Sequence, residues 1–247
     1  MTEEIGAAEL AARQLREREA NATTYDAWIA QRGWWAEVEI AELMHGLSLR
    51  RDEVVWDAGC GTGRLIPFLA PQVAKVIATD YSPASIEVLK AKCLAAPWGS
   101  KVEAFAADMA QPCGLSDASV DRIISLQAFQ HVDPAGRQVA LAEFRRVLRP
   151  QGRLTLVVYA YPSWVFSSGT PAEGVLSDTL YFRQWQADEI RQELAEAGLS
   201  VERLAPMVCW PQLRRAGSLG KQVEMAAHLG YLPVWRSAYW LVEAKSV

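Results

Sequence analysis

Two hydrophobic periods alternate along the middle of the chain. Short apolar runs, typical of buried strands, are separated by segments in which apolar residues recur every three or four positions, as on one helix face. The pattern predicts strands at residues 53–57, 75–79, 102–106, 120–126 and 153–159, with helices at 62–70, 82–95 and 133–148. Alternating strands and helices with short links indicate an α/β fold of parallel strands joined by right-handed crossovers.

Dipeptides at two of these helix starts support the boundaries. Ser82-Pro83 and Asp133-Pro134 each place a side-chain oxygen where it can accept hydrogen bonds from the free amides of a first turn. The proline that follows has its φ angle preset for a helix. We therefore expect both helices to begin at these positions.

The pattern differs on both sides of the alternating region. Residues 7–20 carry a helical apolar stripe, and residues 25–46 look helical and contain several aromatic side chains. Later in the chain we expect irregular segments at 160–185 and 208–236, helices at 187–197 and near 213–229, and strands at 199–207 and 237–245. Long irregular segments in a compact domain are usually functional, so these two could cover a ligand.

The most informative segment follows the first predicted strand. Asp57 ends that strand, and Gly59, Gly61 and Gly63 lead into the next helix. Glycines allow a sharp turn against which a ligand can lie, and the amides at a helix start attract an anion. A dinucleotide fingerprint needs a glycine three positions after its second glycine; counted from Gly61 that place holds Arg64, and counting from Gly63 fails as well.

The spacing that does fit is acid-x-Gly-x-Gly-x-Gly, which resembles motif I of the class I S-adenosylmethionine methyltransferases. The resemblance extends from Asp57 to Leu156 and includes Asp80-Tyr81, Ala107-Asp108-Met109 and Ser125-Leu126-Gln127, at the ends of the second, third and fourth strands. It implies a Rossmann-like, doubly wound sheet of seven strands whose last strand is antiparallel, with N-terminal helices and inserted cap segments. It also implies S-adenosylmethionine as the cofactor.

The resemblance assigns roles to particular side chains. Asp80 would accept hydrogen bonds from ribose hydroxyls, Asp108 would reach the adenine amino group, and Asp57 would meet the cofactor ammonium. The cofactor-binding candidates are Tyr25, Trp34, Asp57, Gly59, Cys60, Gly61, Gly63, Arg64, Asp80, Tyr81, Asp108, Met109 and Gln127. Structural alternatives stay open: Asp80 could cap the next helix, Asp108 could cap a turn, and Asp57 could bond loop amides.

His131 lies just past the fourth predicted strand. Many similar members of the family have His-His-Val here, with the second histidine near the methyl acceptor; this chain has Gln130 at the first of these positions. A neutral imidazole can take a proton from a hydroxyl or an ammonium near neutral pH, so His131 is the candidate catalytic residue. The alternative is a histidine that packs against the following helix start or only contacts the substrate.

Aromatic side chains supply the expected acceptor pocket. The substrate-contact candidates are Gln130, Tyr159, Tyr161 and Trp164. Arg32 lies close to the aromatic residues of 25–46 and could pair with a carboxylate. An aromatic face favours a sulfonium or amine cation by about 0.5–2 kcal/mol, although ordinary core packing is the alternative for many of these rings.

Charge and cysteine content narrow the class of partner. The net charge is −4 and the pI is about 5.5, which argues against broad contact with nucleic acid. The four cysteines form no C-x-x-C pair and the three histidines are scattered, so we expect no metal site and a reducing, cytoplasmic location. No apolar run reaches the ~20 residues that span a bilayer, and the acidic first residues do not resemble a signal peptide.

The sequence therefore predicts methyl transfer to an oxygen, nitrogen or carbon of a small organic molecule, by a monomer or homodimer. Among the methyltransferases of small molecules, the chain resembles those of ubiquinone and menaquinone biosynthesis. This resemblance implies a quinone-like or secondary metabolite as the acceptor. We expect a single domain over 1–247, with a helical lid at 1–50, a cofactor-binding core at 51–159, and an acceptor cap with C-terminal strands at 160–247. The alternatives are a methyltransferase of peptide or protein amino termini, a cofactor-binding module without catalysis and, least favoured by the glycine spacing, an NAD-dependent or nucleotide-sugar oxidoreductase.

Overall fold

A computed structural model describes residues 6–246, so the acidic residues weighed above against a signal peptide lie outside the described part. The helices are α1 (Ala7–Asn21), α2 (Tyr25–Gln31), α3 (Trp34–Gly46), α4 (Ile66–Leu69), α5 (Pro83–Ala95), α6 (Pro134–Val147), α7 (Ala187–Glu196) and α8 (Gly217–His228). The strands are β1 (Val54–Ala58), β2 (Lys75–Asp80), β3 (Val102–Ala106), β4 (Val120–Leu126), β5 (Leu148–Ala160), β6 (Glu173–Leu176), β7 (Leu180–Trp185), β8 (Leu199–Met207) and β9 (Tyr239–Ser246). Short 3₁₀ segments occur at Gly99–Lys101, Phe129–His131 and Pro211–Ala216.

The main sheet has the strand order β3-β2-β1-β4-β5-β9-β8. Strands β1 to β5 are parallel, whereas β9 runs antiparallel to both β5 and β8. The prediction of a Rossmann-like, mostly parallel sheet with an antiparallel last strand is therefore confirmed, whereas the sheet has nine strands instead of the predicted seven because β7 and β6 join it at the end of β5. The strand order reverses between β1 and β4, which places a crevice at the carboxyl ends of these strands.

A hairpin replaces part of the segment that we expected to be irregular. Strands β6 and β7 pair antiparallel, and the end of β7 adds in parallel to the end of β5. The turn between them places Ser177 and Asp178 at positive φ angles of 50° and 58°. Glycine or asparagine usually marks such a turn, so the prediction of an irregular 160–185 was wrong at the hairpin because these two residues gave little signal.

Glycine geometry and strand pairing explain the other boundary differences. The predicted helix at 62–70 shrinks to α4 because Gly63 has a φ of +84°, which no α-helix includes. The helical region 25–46 is divided at Gly33, whose φ is +49°. Strand β5 begins directly after α6, five residues earlier than predicted, because Leu148 already pairs with Val120.

Two hydrophobic cores lie on opposite faces of the sheet. Val55 packs into the core that α3, α4 and α5 cover, and its neighbour Trp56 packs into the core that α6 and α7 cover. This alternation follows from the two-residue period of a strand. The predicted helix caps are present: Ser82 accepts from the Ser85 amide at 3.1 Å and Asp133 from the Gly136 amide at 2.9 Å.

The N-terminal helices are fastened to the carboxyl edge of the sheet. Glu19 of α1 accepts hydrogen bonds from the Ser82 hydroxyl at 2.6 Å and from the Ala84 amide at 3.0 Å. Asp26 of α2 accepts one from the Thr62 hydroxyl at 2.7 Å, just after the glycine loop. Within residues 6–246, none of the helices combines the length and the apolar character needed to cross a membrane.

Candidate active site

A cavity lies at the carboxyl ends of β1 to β4, beneath α1. We name it the loop cavity because the loop Gly59–Gly61 forms part of its wall. Asp57 and Asp80 reach it from the ends of the paired parallel strands β1 and β2, where side chains of neighbouring strands meet at one edge. The predicted residues that line it are Tyr25, Asp57, Gly59, Cys60, Gly61, Arg64, Asp80, Tyr81, Asp108, Met109, Gln127 and His131.

Hydrogen bonds to the end of β2 hold the glycine loop in place, and its cavity side carries no side chain at Gly61. The amides of Gly59 and Cys60 both donate to the Thr79 carbonyl, at 2.8 and 2.9 Å, and the Gly61 amide donates to Asp80 Oδ2 at 2.8 Å. Gly61 has a φ of +54°, and a Cβ placed there would have no heavy atom within 4 Å, apart from its chain neighbours. A ligand can therefore lie directly against the backbone at Gly61.

Asp57 carries an unpartnered buried oxygen. Its side chain lines the loop cavity, and Oδ2 has no hydrogen-bond partner among the described residues. Burial raises the pKa of Asp57 to about 7, and the nearby Asp80 carboxylate acts in the same direction. A cationic N–H donor would satisfy this oxygen and stabilise its charge, which is what an ammonium group provides.

The other two acids combine a structural bond with a place in the wall. Asp80 accepts from the Gly61 amide and, through Oδ1, from the Ser82 amide at 3.0 Å. Asp108 accepts from the Ala110 amide at 2.9 Å, so the turn-cap interpretation holds for it. Because a carboxylate can accept about four hydrogen bonds, both acids keep capacity for a ligand.

Helix α1 supplies residues that the sequence analysis missed. Leu10, Ala11, Gln14 and Arg18 line the loop cavity. Gln14 Nε2 donates to the His131 carbonyl at 3.2 Å, and its Oε1 accepts from the Tyr181 amide at 3.4 Å. The available signal was the helical spacing 11–14–18, which puts two polar side chains on the same face as an alanine of the apolar stripe.

A second cavity adjoins the loop cavity, and we name it the aromatic cavity. Its aromatic wall residues are Tyr25, Trp28, Trp35, Tyr81, Tyr159, Trp164 and Tyr239. The residues that line both cavities, which we name the junction, are Gln14, Arg18, Tyr25, Tyr81, Gln127 and His131. Two ligands, one in each cavity, would therefore meet at the junction.

A hydrogen-bond chain fixes the orientation of His131. Its Nδ1 lies 2.8 Å from the Tyr181 carbonyl oxygen, which can only accept, so Nδ1 carries the proton and Nε2 the lone pair. Gln130 Oε1 accepts from the Tyr159 amide at 2.8 Å, which turns its amide nitrogen toward His131 Nε2 at 3.4 Å. Burial lowers the pKa of His131 to about 4, so the ring is neutral at physiological pH.

The structure shows features of Gln130 and Gln127 that the sequence analysis did not predict. Gln130 is fully buried and both ends of its amide are engaged, so it orients His131 as well as lining the aromatic cavity. Gln127 has a φ of +57°, a costly conformation for a residue other than glycine. Its Nε2 is buried without a partner among residues 6–246, and it lies in the junction.

Three candidates lie outside both cavities. Trp34 donates through Nε1 to the Gly217 carbonyl at 3.2 Å, so it fastens α3 to α8; its neighbour Trp35 lines the aromatic cavity instead. Tyr161 follows β5 and its amide donates to the Trp185 carbonyl at 2.8 Å. A Cβ at Gly63 would overlap Leu89, which shows that this glycine faces the core.

A buried carboxylate connects the two cavities. Glu39 of α3 is fully buried and accepts from Arg32 at 2.9 Å and from Arg64 at 2.5 Å. Arg32 lines the aromatic cavity and Arg64 lines the loop cavity. The carboxylate that Arg32 pairs with is thus one of the chain's own.

Comparison with known proteins bears on the region around the loop cavity. Residues 55–152 match a family model described as a methyltransferase domain. An uncharacterized methyltransferase of Mycobacterium tuberculosis is 40% identical over 103 residues, which cover 42% of this chain and 38% of that protein. A probable S-adenosylmethionine-dependent methyltransferase of Mycolicibacterium smegmatis is 28% identical over 177 residues, or 70% of this chain and 62% of that protein. The chain therefore spans only part of the length of these relatives.

A solved structure extends the likeness over the whole fold. The 1,6-didemethyltoxoflavin-N1-methyltransferase of Burkholderia thailandensis, solved with 1,6-didemethyltoxoflavin and S-adenosylhomocysteine bound, superposes with a TM-score of 0.69 at 19% identity. The match covers 100% of this chain and 93% of that one. The fold is thus that of the class I methyltransferases, and S-adenosylmethionine is the cofactor that the comparisons support.

Proposed function

We propose that the chain is an S-adenosylmethionine-dependent methyltransferase that acts on a small organic molecule. The observation that carries this proposal is the junction, where His131 and Gln127 belong to the walls of both the loop cavity and the aromatic cavity. Methyl transfer is an in-line displacement, so its main requirement is two ligands aligned end to end. Two cavities that meet at shared side chains provide this alignment.

The residues of the loop cavity fit this cofactor. The unpartnered oxygen of Asp57 suits its ammonium group, and the remaining hydrogen-bonding capacity of Asp80 suits the ribose hydroxyls. Asp108 suits the adenine amino group, and the bare backbone at Gly61 leaves room for the ligand. When bound, the cofactor supplies a methyl group on a positively charged sulfur, from which a nucleophile can displace it.

His131 is assigned to the acceptor. Its Nε2 lone pair faces the Gln130 amide nitrogen at 3.4 Å; an acceptor hydroxyl or amine that displaces this long contact would donate to Nε2 and be turned toward the junction. Because burial lowers the pKa of His131 to about 4, the imidazole is a weak base. This favours a role in orienting the acceptor over complete removal of its proton.

The proposal includes finer points that the sequence suggested. The hydrogen bonds of α1 and α2 to the rim of the loop cavity support a helical lid within 1–50, beside a core at 51–159 and a cap at 160–247. The aromatic walls support a flat acceptor, such as a quinone-like or secondary metabolite. The small molecule bound to the Burkholderia neighbour points the same way.

Calorimetric titration with S-adenosylhomocysteine tests the cofactor assignment. Asp80→Ala is expected to weaken binding about tenfold or more, because hydrogen bonds to a charged group contribute about 1.5–3 kcal/mol each. The matched control is Asp52→Ala, since the Asp52 side chain is 78% exposed and lies far from the cavity in the turn before β1. Wild-type protein that does not bind, or an Asp80→Ala variant that binds as tightly as wild type, would show the assignment to be wrong.

A screen with isotopically labelled S-adenosylmethionine tests the activity. Small molecules and short peptides with free amino termini are offered together, and methylated products are identified by mass spectrometry. A binding module without catalysis would consume none of the cofactor, and an amino-terminal methyltransferase would label only the peptides. With the acceptor identified, His131→Ala is expected to lower kcat without removing a limb of the pH–rate profile; loss of such a limb would indicate a general base instead.

A further inference from the structure

We propose that the acceptor is an anionic aromatic molecule whose negative group binds Arg18 at the junction. This inference rests on the proposed function and specifies the substrate class of the same site. In this proposal, Arg18 is the residue that selects acceptors by their charge. The observations that support it are the pairing state of the guanidinium, the charge of the cavity wall and the chemistry of the neighbouring cavity.

Arg18 is a half-buried cation that lacks a carboxylate partner. It projects from α1 into the junction, where its guanidinium lies 5.0 Å from the centre of the Tyr25 ring. Across residues 6–246 no Asp or Glu oxygen comes within 4.0 Å of its nitrogens; by contrast, Arg13 and Arg16 on the same helix both reach Glu9. A partly desolvated guanidinium is stabilised by an anion; the Asp80 carboxylate acts on Arg18 from beyond 4.0 Å, and no carboxylate of residues 6–246 forms a direct ion pair with it.

The other charges around the aromatic cavity do not compensate for Arg18. The charged wall residues are Glu17, Arg18, Arg32 and Arg214. Arg32 is paired with the buried Glu39, and both Glu17 and Arg214 are exposed to solvent, which screens them. The cavity wall is therefore net positive in a chain whose net charge is −4.

The rest of the cavity suits a flat, unsaturated body. Tyr159 and Tyr239 stack with ring centres 5.6 Å apart, and Trp35 and Trp164 approach to 4.2 Å. Aromatic faces of this kind pack well against another planar ring. A ring system that carries a carboxylate or phenolate would match both the walls and the free guanidinium.

The charge of the methyl donor reinforces this inference. Its sulfonium is positive, so a donor held in the loop cavity, which Arg18 also lines, would add a positive charge to that cavity. Like charges in a partly desolvated site repel, and an anionic acceptor at the junction would reduce that repulsion. A substrate with a free ammonium would instead add a third positive charge, which disfavours a peptide amino terminus.

Calorimetry with a matched set of probes tests the inference. The protein is first saturated with S-adenosylhomocysteine and then titrated with 2-naphthoate, 2-naphthamide or 2-naphthylmethylammonium, which differ mainly in charge. Wild type is expected to bind naphthoate at least about tenfold more tightly than naphthamide, because a charge-assisted bond contributes about 1.5–3 kcal/mol. The cationic probe is expected to bind most weakly.

Variants locate the charge preference. Arg18→Gln should remove the preference for naphthoate, measured as the ratio of the naphthoate and naphthamide dissociation constants, and Arg18→Lys should restore part of it. Arg16→Gln is the control, because Arg16 is on the same helix and its side chain is 65% exposed; it should behave as wild type. Thermal melting checks that each variant is folded.

Three results would overturn the inference. Wild type that does not prefer naphthoate contradicts it without any variant. An Arg18→Gln variant that loses affinity for S-adenosylhomocysteine but keeps the preference would assign Arg18 to the carboxylate of the donor. Wild type that binds no S-adenosylhomocysteine would refute the proposed function itself, which separates that failure from the other two.

Discussion

The two cavities are built in different ways. The loop cavity is formed by a short stretch of backbone and by acids at strand ends, which the sheet holds in register. The aromatic cavity is formed by side chains from α1 to α3, from the segment after β5 and from β9. The first can be recognised from spacing along the chain, whereas the second exists only once distant segments have packed together. A constant ligand suits the first design, and a ligand particular to each protein suits the second.

A side chain added in the glycine loop should have the largest effect on ligand binding to the loop cavity. Gly61→Val puts a branched side chain at positive φ and into the loop cavity, so binding of S-adenosylhomocysteine should fall about 100-fold or more. Gly169→Val is the matched control, because Gly169 also has positive φ and open space but lies in an exposed loop. Both variants should lose about 1–3 kcal/mol of stability. Equal binding by the two variants would show that Gly61 does not face the ligand.

Removing the carboxylate between the cavities should destabilise the protein. Glu39→Gln leaves Arg32 and Arg64 without their shared partner, and the free energy of unfolding in urea should fall by about 3 kcal/mol. Glu37→Gln on the same helix breaks only an exposed pair with Lys221, which should cost less than about 1 kcal/mol. Similar losses from both variants would mean that burial of the Glu39 pairs contributes nothing particular.

The pH dependence of binding should report on Asp57. Burial raises the pKa of Asp57 to about 7, so below that pH the free protein holds a proton that an ammonium ligand must displace. Affinity for S-adenosylhomocysteine should therefore rise about tenfold or more from pH 5.5 to 7.5, with proton release detectable in buffers of different ionisation enthalpy. Asp57→Asn should bind weakly and without this dependence. A wild-type affinity that does not change with pH would contradict the assignment.

Two adjacent tryptophans give the smallest expected effect. Trp35 lines the aromatic cavity, while Trp34 bonds to α8 outside it. Trp35→Ala should weaken 2-naphthoate binding about threefold to tenfold, as expected for loss of one aromatic contact, and Trp34→Ala should leave it nearly unchanged. A larger effect of Trp34→Ala would contradict the assignment of Trp35 to the wall of the aromatic cavity.

Features that depend on neighbouring residues could be predicted from the sequence, whereas features that depend on how distant segments pack could not. The strands near Val55 and Trp56, the caps at Ser82 and Asp133 and the glycine loop depend on neighbouring residues, and the sequence predicted them. The hairpin at Ser177 and Asp178 depends on a turn that has no glycine at its two positive-φ positions, so no turn motif predicted it. The roles of Gln14, Arg18 and Glu39 depend on where α1 and α3 dock, which no spacing within one helix determines. Trp34 and Trp35 illustrate the same limit, because a change of one position on a helix exchanges the side that faces the cavity.

Because the junction belongs to both cavities, neither compartment can be filled without altering the surface that the other ligand meets. Thermodynamic reciprocity then requires that whatever factor a donor analogue applies to acceptor affinity, the acceptor applies to the donor analogue. Compounds can thus be ranked as substrates by how far they shift the melting temperature or the dissociation constant of the donor complex, in libraries where turnover is too slow to observe. Because the two cavities share side chains, donor-analogue affinity in the loop cavity reports on which compounds bind in the aromatic cavity.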